Sequence, residues 1–447
     1  MSTRRQRRSV LAWVNIALLA ALVPPALGNT VHVPSVRPLQ QAIDAAGDGD
    51  TLLLAAGNHR GPVTVARAIT LRGEPNARIV GNEEGSVVTV EGDHVRIEQL
   101  EIRRSGRDLS NEDAGVLVLG DGVHIARVRF RDNLHGVYVL AGKDVRLIEN
   151  HIIGLAATDD DPQVIGAEGA RRADGVHHTP RATQSLMGNG LHLFDAAGAV
   201  VQGNRIQHVR DGIYVAHTTG AVFRANQVHD SRYGIHYMYS SDNIIEANEL
   251  WANVAGPALM FSRNLTVTDN VLRDHSGFRA YGLLLQNVNA STIHNNEIRG
   301  NRVGMRLQNS SANDLRYNRV FGNLAGVTIN SSSRDNVLTR NHFGLNLRQI
   351  ELTGPAPPTD WSIDGVGNRW YGSLPMDLTG DGISQWPHHE VDLMAERRER
   401  FPPVQLLTGS LGLRTLEWAL GRAPTPGARH ITDPHPLVRP RQETPAQ

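Results

Sequence analysis

Residues 212–248 decide the fold: GIYVAHTTGAVFRANQVHDSRYGIHYMYSSDNIIEAN. Gly212 and Gly234 stand 22 residues apart, and each is followed 14 residues later by an asparagine, Asn226 or Asn248. Apolar and polar residues alternate after each glycine, which is typical of a half-buried β-strand. Because 22 residues without a helical stripe are too few for a pair of helices, the segment predicts short strands joined by turns.

The same unit recurs along the chain. The 14-residue spacing from glycine to asparagine begins at Gly136, Gly190, Gly212, Gly234, Gly256, Gly282 and Gly304. Coils of three short strands stack through parallel ladders about 4.8 Å apart. An asparagine at one turn of every coil is then able to bond its equivalents above and below. The predicted fold class is all-β, a right-handed parallel β-helix, with the handedness taken from the crossover preference of parallel strands.

The N-terminus has the pattern of a secretory signal peptide, residues 1–28. A start rich in arginine precedes an apolar run over residues 10–23, and small residues lead up to Gly28. We therefore expect cleavage near Gly28 and export to the periplasm. The β-helix is predicted over residues 29–347, with an amphipathic helix at residues 36–46 covering its first coil.

The repeat is lost after Leu347. Residues 348–447 are predicted to form a C-terminal cap and a partner-docking tail that leaves the solenoid, with one helix at residues 406–420. Beyond Ala423 the composition indicates an extended or partly disordered segment.

Composition and charge exclude several classes of protein. The 447 residues contain no cysteine, which excludes disulfide scaffolds, zinc fingers and cysteine-ligated iron–sulfur clusters. The 45 basic and 45 acidic residues give no net charge, so a nucleic-acid partner is not expected.

Two insertions interrupt the period at the same corner of the predicted helix. From Gly136 to Gly190 there are 54 residues, 32 more than one coil, and we place the extra loop at about 155–186. From Gly256 to Gly282 there are 26, four more than one coil. Solenoids often carry functional insertions along one face. The long loop contains two candidate site residues, His177 and His178.

One outward face of the predicted strands is unusually apolar. Toward the C-terminus the outward positions are polar, whereas in the middle they form a stripe of aromatic, histidine and methionine residues that we expect to be exposed. Imidazole and thioether ligands without cysteine suit copper, above all Cu(I), although the ion itself stays undetermined. The alternatives are a protein contact, or a surface covered by the long loop. The candidate partner or copper-handover face comprises His192, Tyr214, His217, His236, Met238 and Met260.

The main alternative function is that of a polysaccharide-active β-helix, similar to an alginate epimerase or lyase, and an adhesin-like structural solenoid is the third. Epimerisation and lysis need clustered acids and bases in an open groove. Residues 233–240, YGIHYMYS, begin as an alginate epimerase coil does but lack both of its carboxylates. We therefore expect no enzymatic activity. Asp377–Asp381 predicts a structural turn, with a bound ion as the alternative.

Several segments together resemble the NosD family of nitrous oxide reductase maturation proteins, which are periplasmic β-helices with carbohydrate-binding-type repeats. The resemblance is carried by residues 42–51, 233–240, 367–371 with 377–381, and 433–437. It implies a scaffold rather than an enzyme, one that helps to assemble the copper–sulfur centre of nitrous oxide reductase. The implied partners are an ABC-type permease and ATPase complex, a copper-chaperone lipoprotein and the reductase itself. The histidine and methionine stripe would then be a docking or copper-handover surface, with at most transient copper and no resident cofactor.

Overall fold

The computed structural model describes residues 28–154, 187–277, 280–392, 401, 410–420 and 429–439. The predicted signal peptide, apart from Gly28, and the inserted loop with His177 and His178 lie outside the described residues. Within them, no helix combines the length and the apolar character needed to cross a bilayer.

Three long parallel sheets form the body of the protein. Sheet 1 has 14 strands: β1 Thr30–Val33, β2 Thr51–Leu54, β5 Thr70–Gly73, β8 Arg96–Glu98, β11 His124–Ala126, β14 Arg146–Ile148, β17 Val200–Gln202, β20 Val222–Arg224, β23 Ile244–Glu246, β26 Thr266–Thr268, β29 Thr292–His294, β32 Asp314–Arg316, β35 Asn336–Thr339 and β38 Thr359–Asp360. Sheet 2 has 13 strands: β3 Gly57–Arg60, β6 Ala77–Val80, β9 Glu101–Arg103, β12 Arg129–Arg131, β15 His151–Ile153, β18 Arg205–Gln207, β21 Gln227–His229, β24 Glu249–Trp251, β27 Val271–Arg273, β30 Glu297–Arg299, β33 Arg319–Phe321, β36 His342–Gly344 and β39 Arg369–Trp370. Sheet 3 has 12 strands: β4 Val63–Val65, β7 Val88–Val90, β10 Ala114–Val118, β13 His135–Leu140, β16 Leu191–Phe194, β19 Asp211–Ala216, β22 Tyr233–Met238, β25 Ala258–Arg263, β28 Tyr281–Asn289, β31 Val303–Gln308, β34 Ala325–Asn330 and β37 Arg348–Thr353.

Each coil contributes one strand to sheet 1, then one to sheet 2 and one to sheet 3, and the next coil pairs with it in parallel. The predicted fold class, an all-β right-handed parallel β-helix, is confirmed. Because side chains alternate along a strand, every second one points into the coil. The inward residues of β19 and β22 are completely buried: Ile213, Val215, Ile235 and Tyr237. The core is therefore a set of apolar columns that run the length of the solenoid.

The repeated asparagines form one continuous ladder. Nine buried asparagines occupy the turn between sheets 1 and 2: Asn150, Asn204, Asn226, Asn248, Asn270, Asn296, Asn318, Asn341 and Asn368. Each of the first eight donates its backbone N–H to the side-chain oxygen of the next asparagine, at 2.9–3.0 Å. The ladder satisfies buried backbone groups at a turn where no strand pairs them, which explains why asparagine recurs.

The repeated glycines stand where neighbouring coils approach most closely. A Cβ added to Gly212 would lie 2.6 Å from the carbonyl oxygen of Gly234, and one added to Gly304 would lie 2.5 Å from that of Gly326. These contacts are shorter than a side chain tolerates, so the glycine column is required by sterics rather than by an unusual φ angle. The 22-residue period of the glycines therefore reflects one such close contact in every coil.

The two ends of the solenoid are closed differently. Helix α1, Leu39–Ala45, buries Leu39, Ala42 and Ile43 against the first coils, as the helical spacing predicted. At the other end the three sheets continue past Leu347, where the sequence analysis ended the β-helix, to Trp370. The last coil was missed because its turn between β38 and β39, residues 361–368, is longer than the equivalent turn between β35 and β36, residues 340–341, so the 22-residue spacing is lost.

Part of the C-terminal region packs back on the solenoid, contrary to the expectation that all of it leaves. Strand β40, His388–Asp392, pairs antiparallel with β41, Arg429–Asp433, and helix α2 spans Leu411–Leu420. Asp433, completely buried, accepts hydrogen bonds from Asn368 N–H at 2.7 Å and Trp370 Nε1–H at 2.8 Å. It occupies the position that the next asparagine of the ladder would take.

Candidate functional site

The candidate face lies on the middle strands of sheet 3. His192 on β16, Tyr214 on β19 and His236 on β22 are register partners and form one column. Met238 pairs with Met260 in the adjacent column, two residues further along β22 and β25. Histidine and thioether side chains therefore lie side by side on one surface, within one or two coils of each other.

The face is less exposed than the sequence indicated. His192 is only 6% exposed, whereas Tyr214, His236, Met238 and Met260 are half-buried. The expectation that the whole stripe is exposed is therefore wrong for His192. Its ring is stacked on Tyr138 at 4.5 Å and lies edge-on to Tyr214 at 4.6 Å between ring centroids, so side chains of the neighbouring coils cover it.

His217 lies apart from the other five residues. It is exposed, has a positive φ of 54°, and occupies the turn that follows β19. Its ring stacks on Tyr239, 5.5 Å away, and Tyr239 stacks on Phe261 at 5.0 Å. His217 thus belongs to an aromatic row at the edge of the face.

A buried carboxylate holds His236. Asp211 is completely buried at the start of β19, and its Oδ2 lies 2.9 Å from Nδ1 of His236. Arg232 donates two hydrogen bonds to the same carboxylate, at 2.8 and 2.6 Å. Burial alone would raise the pKa of Asp211, but the hydrogen bonds from His236 and Arg232 outweigh it and lower that pKa. Asp211 is therefore an ionised acceptor that fixes the His236 ring.

A second carboxylate lies beside His192. Oε2 of Glu112, on the turn before β10, lies 2.8 Å from Nε2 of His135 and 3.3 Å from Nδ1 of His192. The interaction with these two histidines lowers the pKa of Glu112. Burial lowers the pKa of His192, which keeps its ring neutral near neutral pH.

Glu112, His135 and His192 have ligand atoms within 4.8 Å of one another, close enough to suggest a metal centre. Nδ1 of His135, however, accepts the Asn189 backbone N–H at 2.8 Å. The proton of a neutral His135 must then be on Nε2, which faces Glu112 and so has no lone pair for a metal. The cluster is better described as a carboxylate that orients two histidines.

The thioether side of the face is different in character. The Tyr214 hydroxyl lies 4.0 Å from Sδ of Met238, and burial raises the pKa of Tyr214, so that the hydroxyl stays protonated. On the outward side of β22 and β25, Met238 is the register partner of Met260, and His236 is the register partner of the small residue Ala258. One imidazole and two thioethers make a soft ligand set that suits Cu(I).

Four residues of this arrangement were missed by the sequence analysis: Glu112, His135, Asp211 and Arg232. Asp211 could have been noticed in the sequence, because it is a charged residue at a position of the repeat that is uncharged in the adjacent coils. Its register partners there are Tyr233 and Asn189. Glu112 had none, since it lies on a turn that occurs once.

Both carboxylates are occupied by partners within the chain: Glu112 by His135 and His192, and Asp211 by His236 and Arg232.

The Asp377–Asp381 segment forms a turn that is closed by its own backbone. Asp377 accepts the N–H groups of Gly380 and Gly382 at 2.6 and 2.9 Å. These bonds favour the structural interpretation over a bound ion.

One family model and two relatives match this chain. The family model described as "Periplasmic copper-binding protein (NosD)" matches residues 172–373. A "Probable ABC transporter binding protein NosD" of Stutzerimonas stutzeri is 35% identical over 403 residues, which cover 86% of each chain. The protein of the same name from Pseudomonas aeruginosa is 36% identical over 409 residues, covering 88% of this chain and 89% of the relative.

Solved structures share the architecture only. A family 28 exopolygalacturonase of Yersinia enterocolitica superposes with a TM-score of 0.50 at 12% identity, covering 78% of this chain and 79% of its own. A mannuronic acid-specific family 6 polysaccharide lyase from human gut microbiota has a TM-score of 0.50 at 13% identity, with coverages of 79% and 89%. At these identities the likeness concerns the fold.

Proposed function

Because this chain belongs to the NosD family, we propose that it is a periplasmic accessory protein in the assembly of the copper–sulfur centre of nitrous oxide reductase. In this role it is a scaffold and not an enzyme. It receives copper from a copper-chaperone lipoprotein, acts with an ABC-type permease and ATPase complex, and passes copper on to the reductase. The relatives' description as ABC transporter binding proteins supports the transporter as a partner.

The observation that carries the proposal is the convergence of His236, Met238 and Met260 on one face. Their soft side chains are half-buried, which leaves them within reach of a partner without opening the core. Soft ligands select Cu(I) over harder ions such as Mg²⁺ or Ca²⁺. A half-buried site with few ligands suits a copper ion that must bind and then be released.

The remaining candidates have supporting roles in the proposal. His192 and Tyr214 extend the face by two coils toward the N-terminus, and His217 lies on its aromatic edge, where a partner protein would make contact. The C-terminal residues 348–447 are proposed to dock on the membrane-embedded partner, and the exposed Leu416 of α2 supports this. His177 and His178 remain candidates on the inserted loop.

The test replaces both thioethers without changing the packing. In the double variant M238L/M260L the side-chain volumes are nearly conserved, so we expect the thermal unfolding midpoint to change little. The purified wild-type protein should take up one equivalent of Cu(I) in anaerobic competition with a chromogenic chelator, and the double variant should lose that equivalent. Reductase produced in cells that carry the variant should lack its copper–sulfur centre.

The matched control is M305L, because Met305 is completely buried on β31, away from the face. It should bind Cu(I) as the wild type does. Fully loaded reductase from cells with M238L/M260L would overturn the proposed site. Loss of the centre in a protein that never binds Cu(I) would instead support a docking face without a metal.

A further inference from the structure

We propose that Asp211 is a positioning residue, which holds His236 with its Nε2 lone pair facing outward as the third ligand of a Cu(I) site with Met238 and Met260. The inference rests on the proposed function, since it names the residue that prepares the same site.

The first step concerns the proton on the His236 ring. A neutral imidazole carries one N–H, and the other nitrogen has a lone pair. Asp211 accepts two hydrogen bonds from Arg232, so it is a carboxylate and only able to accept from Nδ1 of His236, 2.9 Å away. The ring proton is therefore on Nδ1, and the lone pair is on Nε2.

The second step concerns direction. The inner nitrogen of His236 faces a completely buried group, whereas the ring itself is half-buried on the outward side of β22. Nε2 is therefore the nitrogen on the side of the ring away from Asp211. Metal-binding histidines commonly donate their other N–H to a carboxylate in this way, which fixes the ring and raises its basicity.

The third step concerns the free-energy cost of burying the charge of Asp211. A buried charge is unfavourable unless it is well paired, and an uncharged residue would serve for packing alone. The register partners of Asp211 in the adjacent coils are Tyr233 and Asn189, so the β-helix does not need a charge at this position. A carboxylate that orients a ligand explains why one is present.

The fourth step concerns the ion. Met238 and Met260 are register partners on adjacent coils, about 4.8 Å apart along the solenoid. His236 lies two residues from Met238, on the same side of the same strand. One nitrogen and two thioether sulfurs favour Cu(I), and its redox-inert analogue Ag(I), over Zn²⁺.

A carboxylate also lies beside a histidine two coils earlier, but without the same hydrogen bond. Glu112 lies 3.3 Å from Nδ1 of His192, and neither ring nitrogen of His192 has a hydrogen-bond partner among the described residues. No pair of methionines accompanies His192, so the complete soft set is found only around His236 within the described part of sheet 3.

The test begins with the wild-type protein. Long-range ¹H–¹⁵N spectra of the full chain labelled at histidine distinguish the two ring tautomers. We expect His236 to carry its proton on Nδ1 and expect the Nε2 signal to shift when Ag(I) is added. A proton on Nε2, or an Nε2 signal unaffected by saturating Ag(I), would overturn the inference, whatever the variants do.

The variant is D211N, whose amide has a single acceptor oxygen to share between Arg232 and His236. We expect the Nε2–H tautomer of His236 to become populated and the Cu(I) affinity to fall 10- to 100-fold, as is usual for a lost outer-shell carboxylate. Excess Zn²⁺ should not displace Cu(I) from the wild type. Unchanged affinity in folded D211N, or displacement by Zn²⁺, would overturn the inference.

The control is D433N, which replaces a buried carboxylate at the far end of the solenoid and should bind Cu(I) as the wild type does. An equal loss of affinity in D433N would mean that D211N acts through the fold, and would overturn the positioning role. The proposed function fails separately: fully loaded reductase from cells with M238L/M260L refutes the proposed site, whereas Cu(I) binding lost in M238L/M260L but kept in D211N refutes only the role of Asp211.

Discussion

His275, a buried histidine inside the solenoid, makes the stability of the fold sensitive to acid. His275 lies in a turn between sheets 2 and 3, where it is hydrogen-bonded to Asn253 of the preceding coil and Asn301 of the following coil. Nδ1 accepts the backbone N–H of Asn253, so Nε2 carries the proton and has no acceptor among the described residues. Burial, with a smaller effect of Arg273, lowers the pKa of His275 to about 3.

The sign of the pH dependence follows from this shift. The unfolded chain binds a proton at His275 below its ordinary pKa near 6.5, whereas the folded chain does not until about pH 3. Its contribution to stability is therefore complete above pH 6.5 and is lost as the pH falls, by at most about 1.4 kcal/mol per unit. H275N should be less stable by about 1 kcal/mol at pH 7, because the smaller amide leaves space.

Urea unfolding between pH 7 and 4.5 provides the measurement. The free energy of unfolding should fall less steeply with acid in H275N than in the wild type, so the two curves converge and then cross within this range. Parallel curves would show that His275 does not carry this pH dependence.

The asparagine ladder ties neighbouring coils together through side chains. Asn248 accepts the backbone N–H of Asn226, and its own amide donates to the Phe223 carbonyl and to Asn270. N248L would leave these groups buried and unpaired, at a cost of about 1–3 kcal/mol or more. Chemical unfolding measures the loss, and N58L at an exposed position of β3 is the control. Equal stability of N248L and the wild type would contradict the ladder's role.

The elements differ in how far the sequence predicted them. Strands between Gly136 and Gly326 were predictable because the glycine contact and the asparagine ladder repeat in every coil. The last coil and the return of β41 were not, since each depends on residues that occur once. The site divides in the same way. Met238 and Met260 follow from strand alternation, whereas Glu112 reaches His192 from a turn whose path no period specifies.

At the scale of the whole molecule, the C-terminal return closes the open end of the solenoid. Burial raises the pKa of Asp433, while hydrogen bonds from Asn368 and Trp370 oppose that rise. D433A would leave the Asn368 and Trp370 N–H groups without an acceptor, each worth about 1–3 kcal/mol if it stayed buried. We expect the last coil to open locally rather than the molecule to unfold.

Hydrogen exchange resolved by segment tests this expectation. Protection should fall in β36 and β39 of D433A, and should stay at the wild-type level in coils before Gly256. A uniform loss along the chain, or none at all, would contradict a local closing role for Asp433.

A stack of parallel coils has no inherent length, because every coil presents to the next coil the same hydrogen-bonding groups that the previous coil presented to it. An asparagine side chain both accepts and donates hydrogen bonds, so the next coil can repeat the same contacts. A carboxylate side chain only accepts them and offers no donor to a further coil. With Asp433 after Asn368, the series ends by chemistry as well as by the bulk of the chain above it. A longer protein of this design would therefore gain coils upstream of that carboxylate, where both sides of each asparagine still find a match.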